Sequence, residues 1–460
     1  MVTFISVVKI PATVELDMTG GLSATGYRFH YFIPPVQSCF IGTDSISVKE
    51  NIQLQHFNGD LIAYNETLAV TEQSDGWKYF DGYPLGSTDP EPFSELLSTR
   101  GYNIFLTDDD KITFKGQLNS LTHTFPLYYT TRNATPGWNL IGNPFPCSYD
   151  LQGIQELSTD ENDGIDNTVY FTKDGDYLYW NVFTNLGIGW NSDTLPPMQG
   201  FFLHVNNATT LTFPADSKVI ASEIPRSKGE SVIESETTRI IRLELSNTVS
   251  NDVTVICMND NATLGFDRTY DSFKLFGSNT SKPFINTEIN YVKYAINSLK
   301  EPDVTPLEIP LKVTIQKSGF YYINITQFDN LEDFRIMLKH GTIEKNIQNN
   351  STYSFYSEEG VYTNFSLIID RITTSVYRES EEKIQTWYNN KILSLEFQVG
   401  SLNEVGDLII YDLNGTLVFK KQIQIMNGNT IQFPIDLKTG IYLISIRTSF
   451  DKTNSKLIVY

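Results

Sequence analysis

Along much of the chain, apolar and polar residues alternate one by one. In Leu307-Glu-Ile-Pro-Leu-Lys-Val-Thr-Ile315 every odd position is apolar, and Leu393-Ser-Leu-Glu-Phe-Gln-Val399 and Ile431-Gln-Phe-Pro-Ile-Asp-Leu437 repeat the pattern. A period of two puts one face of a strand in a core and the other in water, as in an antiparallel sheet. Pro310 and Pro434 fall on the polar face. Neither has an N–H to give a ladder, so both strands are expected at sheet edges. Helical periodicity is nearly absent, and short helices are expected only near residues 91–98 and 151–157.

Two polar stretches without apolar rhythm, residues 222–238 and 371–383, read as linkers. They divide the chain into parts 1–221, 239–370 and 384–460. Many short strands separated by turn signals predict an all-β, multidomain protein of antiparallel β-sandwiches, the last part being an Ig-like sandwich.

The first part looks internally duplicated, with repeats over residues 20–118 and 131–217. Residues 26–34 line up with 137–144, 67–72 with 168–173, 77–80 with 177–180, 100–106 with 199–205, and 112–114 with 211–213. Five short matches in one order are more than alternation alone should produce. The alignment sets Gly26 against Gly137 and Gly101 against Gly200. Each half would supply a sheet that cannot bury its apolar face alone, and the two would pack together.

Composition sharpens this picture. The 460 residues exceed what one core normally holds. With 40% hydrophobic, 19% charged and 13% aromatic residues, the chain is globular and leans towards pleated structure. The net charge of −20, without a basic cluster, argues against nucleic acid as a partner. Three cysteines, Cys39, Cys147 and Cys257, make neither a disulfide framework nor a zinc site. No apolar run approaches the roughly 18 residues that span a bilayer. Residues 1–9 lack the features of a signal peptide, so for an exported protein the true start is expected to lie upstream of this chain.

Candidate chemistry is sparse. The five histidines, His30, His56, His123, His204 and His340, are far apart and fall in no metal-ligating motif, and no nucleophile elbow or phosphate loop is present. Cys147 reads as a small buried thiol. The acidic loop 160–166 fails the register of a calcium-binding loop, and no metal or cofactor is expected. Trp180 and Trp190 flank a Gly/Asn-rich segment and could stack on sugar rings; packing in a core is the plainer use of the same indoles.

The C-terminal part resembles the type A sorting domain of type IX secretion substrates from Bacteroidetes-type bacteria. The resemblance rests on residues 406–418, with the turn Asp412-Leu-Asn-Gly415, on Leu437-Lys-Thr-Gly-Ile-Tyr442, and on the Lys456-led final strand. Gly415 and Gly440 are expected to supply left-handed turn conformations. The Asn-Pro pair common at the start of such domains is absent; Thr386-Trp-Tyr-Asn-Asn390 stands there. Residues 265–277, 317–325 and 353–360 resemble a domain often found just before this one. Residues 137–146 and 196–203 resemble secreted flavobacterial-type proteins. Neither of these regions has a known activity.

The resemblance implies a non-enzymatic secreted or cell-surface protein with an adhesion or binding role. The secretion machinery would recognise and cleave the last domain, and surface lipopolysaccharide would anchor the remainder or the remainder would be released. Asp412, Gly415, Gly440, Tyr442 and Lys456 are the signature positions. Two other readings stand beside it: part of a polysaccharide- or peptide-degrading enzyme whose catalytic domain is unrecognised or precedes residue 1, and a glycan-binding module using Trp180 and Trp190.

Overall fold

A computed structural model describes residues 11–459 except 24–25, 43–51, 55–60, 70–75, 80–94, 132, 134, 161–162, 220–237, 278, 304, 349–351, 373–383, 390, 398–402, 427–429 and 448–451. The polar stretches 222–238 and 371–383 therefore fall largely, and His56 and residues 70–72 wholly, outside the described residues. The chain forms two compact units, residues 1–370 and 371–460. Among the described residues the regular elements are almost all strands, as the alternation requires, and helix is limited to single turns such as Leu151–Gly153 and Gln155–Ser158. The helix expected near 91–98 is instead a strand, Glu95–Leu97, paired with Ser38–Phe40. Tertiary pairing outweighs a weak local preference there.

The first half of the large unit contributes strands β1 (Pro11–Met18), β2 (Phe29–Phe32), β3 (Ser38–Gly42), β4 (Leu61–Tyr64), β5 (Trp77–Tyr79), β6 (Glu95–Leu97), β7 (Tyr102–Phe105) and β8 (Asp110–Gln117). The second half contributes β9 (His123–Leu127), β10 (Trp138–Gly142), β11 (Ser148–Asp150), β12 (Ile165–Lys173), β13 (Asp176–Asn181), β14 (Thr194–Leu195), β15 (Gly200–Val205) and β16 (Thr209–Phe213). One sheet runs β2-β7-β4-β5, and its counterpart runs β10-β15-β12-β13 and ends on a fifth strand, Leu186–Ile188. The pairs β1·β8 and β3·β6 recur as β9·β16 and β11·β14. The same antiparallel pairings thus recur in the same chain order, while the first half adds a parallel pair of β3 with Ile52–Leu54 and the second adds a strand Leu186–Ile188 beside β13.

The register corrects details of the sequence alignment. Phe32 faces Tyr102, and Ile141 faces Phe201, so Gly101 and Gly200 are equivalent. The same register sets Gly137 against Arg28, not Gly26, a shift of two residues. The counterpart of β12 is β4, Leu61–Tyr64, whereas Glu66–Leu68 is a 3-10 turn. Two-residue slips preserve the alternation, so the sequence pattern alone does not detect them.

The paired glycines explain how the halves meet. A Cβ on Gly101 would lie 2.9 Å from the Leu140 side chain, and one on Gly200 would lie 2.7 Å from the Phe32 nitrogen. Gly101 lets the start of β7 lie against β10, and Gly200 lets the start of β15 lie against β2, so the two approaches mirror each other. The Gly101 N–H donates to the Leu140 carbonyl at 2.7 Å, and the Ile33 N–H to the Met198 carbonyl at 3.1 Å.

Residues 239–370 form a sandwich from one sheet folded over itself. Its core sets Ile241, Leu243 and Leu245 of Arg239–Ser246 with Leu311, Val313, Ile336 and Leu367 of the opposing strands. Strand Leu307–Ile315 is not at an edge, contrary to expectation: it pairs with Phe284–Ile289 on one side and Gly360–Arg371 on the other. Pro310 lies one residue beyond the pairing with the first neighbour, which covers residues 311–314, and opposite Ser366 of the second. Pro434 does end an edge strand, Thr430–Pro434, of the sheet Ile384–Asn389, Ile392–Phe397, Thr430–Pro434.

In the small unit that three-stranded sheet covers a four-stranded one ordered Leu417–Met426, Asn403–Asp412, Gly440–Arg447, Lys452–Val459. Leu393, Leu395, Leu408, Ile410, Ile444 and Leu457 fill the space between them. Among the described residues no helix is long and apolar enough to cross a membrane.

Candidate functional site

In the small unit the chain reverses at Asp412. Its carboxylate accepts the N–H groups of Asn414 at 2.9 Å and Thr416 at 2.8 Å, and Gly415 takes φ +79. A side-chain cap followed by a left-handed glycine closes the turn without further packing. Gly440 does not play the same part. It has no left-handed φ; it opens the strand Gly440–Arg447, and a Cβ there would meet the Tyr442 ring at an ordinary 3.7 Å. Tyr442 is buried in the core, and its hydroxyl donates to the Lys438 carbonyl at 2.8 Å. Lys456 is exposed opposite Leu443. Asp412 and Gly415 thus shape one hairpin, Gly440 and Tyr442 the start of an inner strand, and Lys456 presents an exposed charge on the last strand of the sheet.

The two tryptophans are not a sugar platform. Trp180 is 1% exposed, and its indole N–H donates to the Asp193 carboxylate at 2.8 Å. Trp190 is stacked on Phe171 at 4.1 Å and donates to the Ser192 carbonyl. Both belong to the core of the second half, so the packing reading replaces the stacking one. Burial raises the Asp193 carboxyl, with the Trp180 N–H opposing.

The segment Gly265–Gly277 turns out to be the seam between the duplicated part and residues 239–370. Arg268 reaches the fully buried Asp166 at 2.8 Å, and the other oxygen of Asp166 is 2.6 Å from His204 Nδ1. Tyr170 and Tyr179 donate or accept at the backbone of Phe273 and Leu275. Lys274 is buried against Asp252 at 2.6 Å. Burial lowers its pKa while Asp252 holds it up. A core that includes Tyr31, Trp138, Tyr170, Phe202, Ile240, Val255 and Ile296 joins both parts around this seam. The sequence does not show this role because ion pairs between residues about 100 apart leave no local signal; the only cue is three charged residues around Tyr270 in Asp267-Arg-Thr-Tyr-Asp271.

Asp271 of the seam accepts the Asp267 and Ser298 N–H groups at 2.8 and 2.6 Å. Burial pushes its carboxyl up to about 8; these N–H bonds lower it, and the charges of Asp267 and Asp166 raise it. The folded state thus keeps a proton that an unfolded aspartate releases near pH ~4. The resulting stability is complete below that pH and is lost as pH rises through about 8. The slope from one such group is at most about 1.4 kcal/mol per pH unit. In urea unfolding, the stability of the wild type relative to Asp271→Asn should therefore fall between pH ~5 and ~8. A constant or rising difference would exclude this role.

The remaining candidates are structural. His30 and His123 bond the carbonyls of Thr19 and Ser98, and burial pushes the Cys257 thiol up to about 12. A thiol held protonated is a poor nucleophile. Asp163 and Gly164 of the acidic loop take left-handed turn conformations. Among the described residues no three His, Cys, Asp or Glu side chains group as metal ligands.

Comparison with known families adds two matches. Residues 96–368 match a family described as a domain of unknown function (DUF8693), and residues 389–460 match one described as a secretion system C-terminal sorting domain. No curated protein matches the chain.

Proposed function

The chain belongs to the DUF8693 family and is a substrate of the type IX secretion system, and from that premise we propose that residues 1–370 are a non-enzymatic binding body carried to the cell surface for adhesion. The sorting domain is then removed, and the body is anchored to surface lipopolysaccharide or released. The observation that carries the reading is the separation of the chain into a large body and a small unit of residues 371–460 that contains the whole sorting match. A signal that folds by itself can be read and cleaved while its cargo stays folded. The buried carboxylates of the body support a binding rather than a catalytic role. Glu66, Asp166 and Asp252 are each engaged by backbone N–H groups or cations that hold the fold together.

The test is a gain of function. Residues 384–460 fused behind a Sec signal peptide and a fluorescent reporter should deliver the reporter to the surface of a type IX-competent cell. In a strain lacking the system the reporter should remain in the periplasm. Equal delivery in both strains would refute the type IX route on which the proposal stands.

A further inference from the structure

A buried pair of charges ties the seam segment Gly265–Gly277 to the strand Asn251–Met258. Lys274 and Asp252 meet at 2.6 Å, with side chains 1% and 7% exposed. Three backbone groups fix the two partners. The Lys274 N–H donates to the Lys293 carbonyl at 2.8 Å, and its Nζ donates to the Val253 carbonyl at 3.0 Å. Asp252 Oδ2 accepts the Ile285 N–H at 2.8 Å. The Tyr179 ring, 5.9 Å from Nζ, walls the pair on the side of the duplicated part. An amine and a carboxyl group are thus held in contact away from water, which gives them a very high effective concentration towards each other.

As ions the two groups are costly. Attraction repays only part of the desolvation of two buried charges, whereas a neutral amide made from the same atoms carries no such penalty. Burial lowers the Lys274 pKa against the opposing pull of Asp252, so the neutral, nucleophilic amine is more accessible than in water. The surroundings suit a condensation. Lys282 lies 3.7 Å from Asp252 Oδ1 and 3.2 Å from Asp176, so a cation faces one carboxyl oxygen of Asp252 and the Ile285 N–H the other. Negative charge that develops on these oxygens in a tetrahedral intermediate meets groups already in place. Asp176 Oδ1 is buried without a hydrogen-bond partner and is an acceptor for a proton in transit.

We propose that Lys274 and Asp252 become joined by an intramolecular isopeptide bond, which the folded protein makes by itself. Lys274 Nζ attacks Asp252 Cγ. The C–N bond forms, the bond from Cγ to Oδ1 breaks, and Oδ1 leaves as water with the two protons that the ammonium gives up. One cation and one anion become a neutral amide and a water, with no change of oxidation state. Oδ2 remains as the amide oxygen and keeps the Ile285 N–H. The bond closes the loop between residues 252 and 274, which restricts the unfolded chain, and it pins the segment that carries Arg268 and Asp271 to the sandwich. It does not depend on the binding role proposed above.

The test is the mass of the full chain, purified folded and then denatured for mass spectrometry. The wild type should be one water lighter than its sequence. Proteolysis should then release a branched peptide that joins residue 274 to residue 252, which distinguishes the isopeptide from an aspartate cyclised on its own backbone with the same loss of mass. Lys274→Arg should have the full mass of its sequence. The wild-type measurement decides the matter even if this variant fails to fold. A wild-type chain at full sequence mass overturns the inference, and so does a missing water that the peptides place elsewhere or that persists in Lys274→Arg.

Discussion

Deleting Lys456–Tyr460 should leave the protein in the periplasm. The deletion removes the pairings of residues 456–459 with 440–443, half of the ladder between the last two strands. It also strips Leu457 and Val459, 3% and 5% exposed, from the core of the small unit. Each buried aliphatic side chain contributes roughly 1.5–3 kcal/mol, so the loss approaches the ~5 kcal/mol total stability expected of so small a domain. The next strand, Gly440–Arg447, would become a half-open edge. Failure of export could therefore reflect unfolding alone, and Lys456→Ala separates the two causes. Lys456 is exposed, so its replacement should change stability by no more than about 0.5 kcal/mol. Impaired surface display of Lys456→Ala with normal melting identifies the lysine as a contact of the secretion machinery. Normal display of this variant removes that assignment, and normal display of the deletion removes the sorting role of the strand.

Glu66→Ala should destabilise the protein as strongly as truncating a large core side chain. Glu66 is 2% exposed. Its Oε1 accepts the N–H groups of Thr130 at 2.8 Å and Gly137 at 3.0 Å and the Asn133 amide at 3.1 Å, and its Oε2 accepts the Thr130 hydroxyl at 2.7 Å. All four donors lie between β9 and β10 of the second half. Alanine would orphan two buried backbone donors, remove a charge-assisted acceptor and leave a void. At about 1–3 kcal/mol for each unpaired group, the expected loss is roughly 3–5 kcal/mol. Glu66→Gln keeps one oxygen for the two N–H groups, and the Thr130 hydroxyl can turn to accept from the new amide. Its loss should stay near ~1–2 kcal/mol. Urea unfolding of both variants against Glu359→Ala, an exposed control, measures the difference. A Glu66→Ala effect within about 0.5 kcal/mol would show that the latch between the halves contributes nothing.

The sequence by itself determined what depends on neighbours along the chain. Alternation at Leu307–Ile315 and Leu393–Val399 marked strands with one buried face, because a pleat sends successive side chains to opposite sides. The turn at Asp412–Gly415 was legible because its cap, its glycine and its hydrogen bonds lie within five residues. The sorting domain was legible for the same reason, and with it the export route. The repeat was visible in order but misplaced by two residues at Gly26 and wrong at residues 67–72, since a slip of two keeps every apolar residue on its own face.

Only the tertiary structure decided which strands are neighbours and what each face meets. It put Pro310 in an inner strand whose neighbour stops one residue short, and it put Trp180 and Trp190 inside a core rather than on a surface. It turned Gly265–Gly277 from a stretch of resemblance into the seam that holds Asp166 and Asp271 away from water. It gathered His340, Phe355 and Phe365 from three strands into one cleft. Such facts depend on contacts between residues tens to hundreds of positions apart. A buried carboxylate and an exposed one are the same letter in the sequence, and burial, which sets their chemistry, is a property of the packed whole.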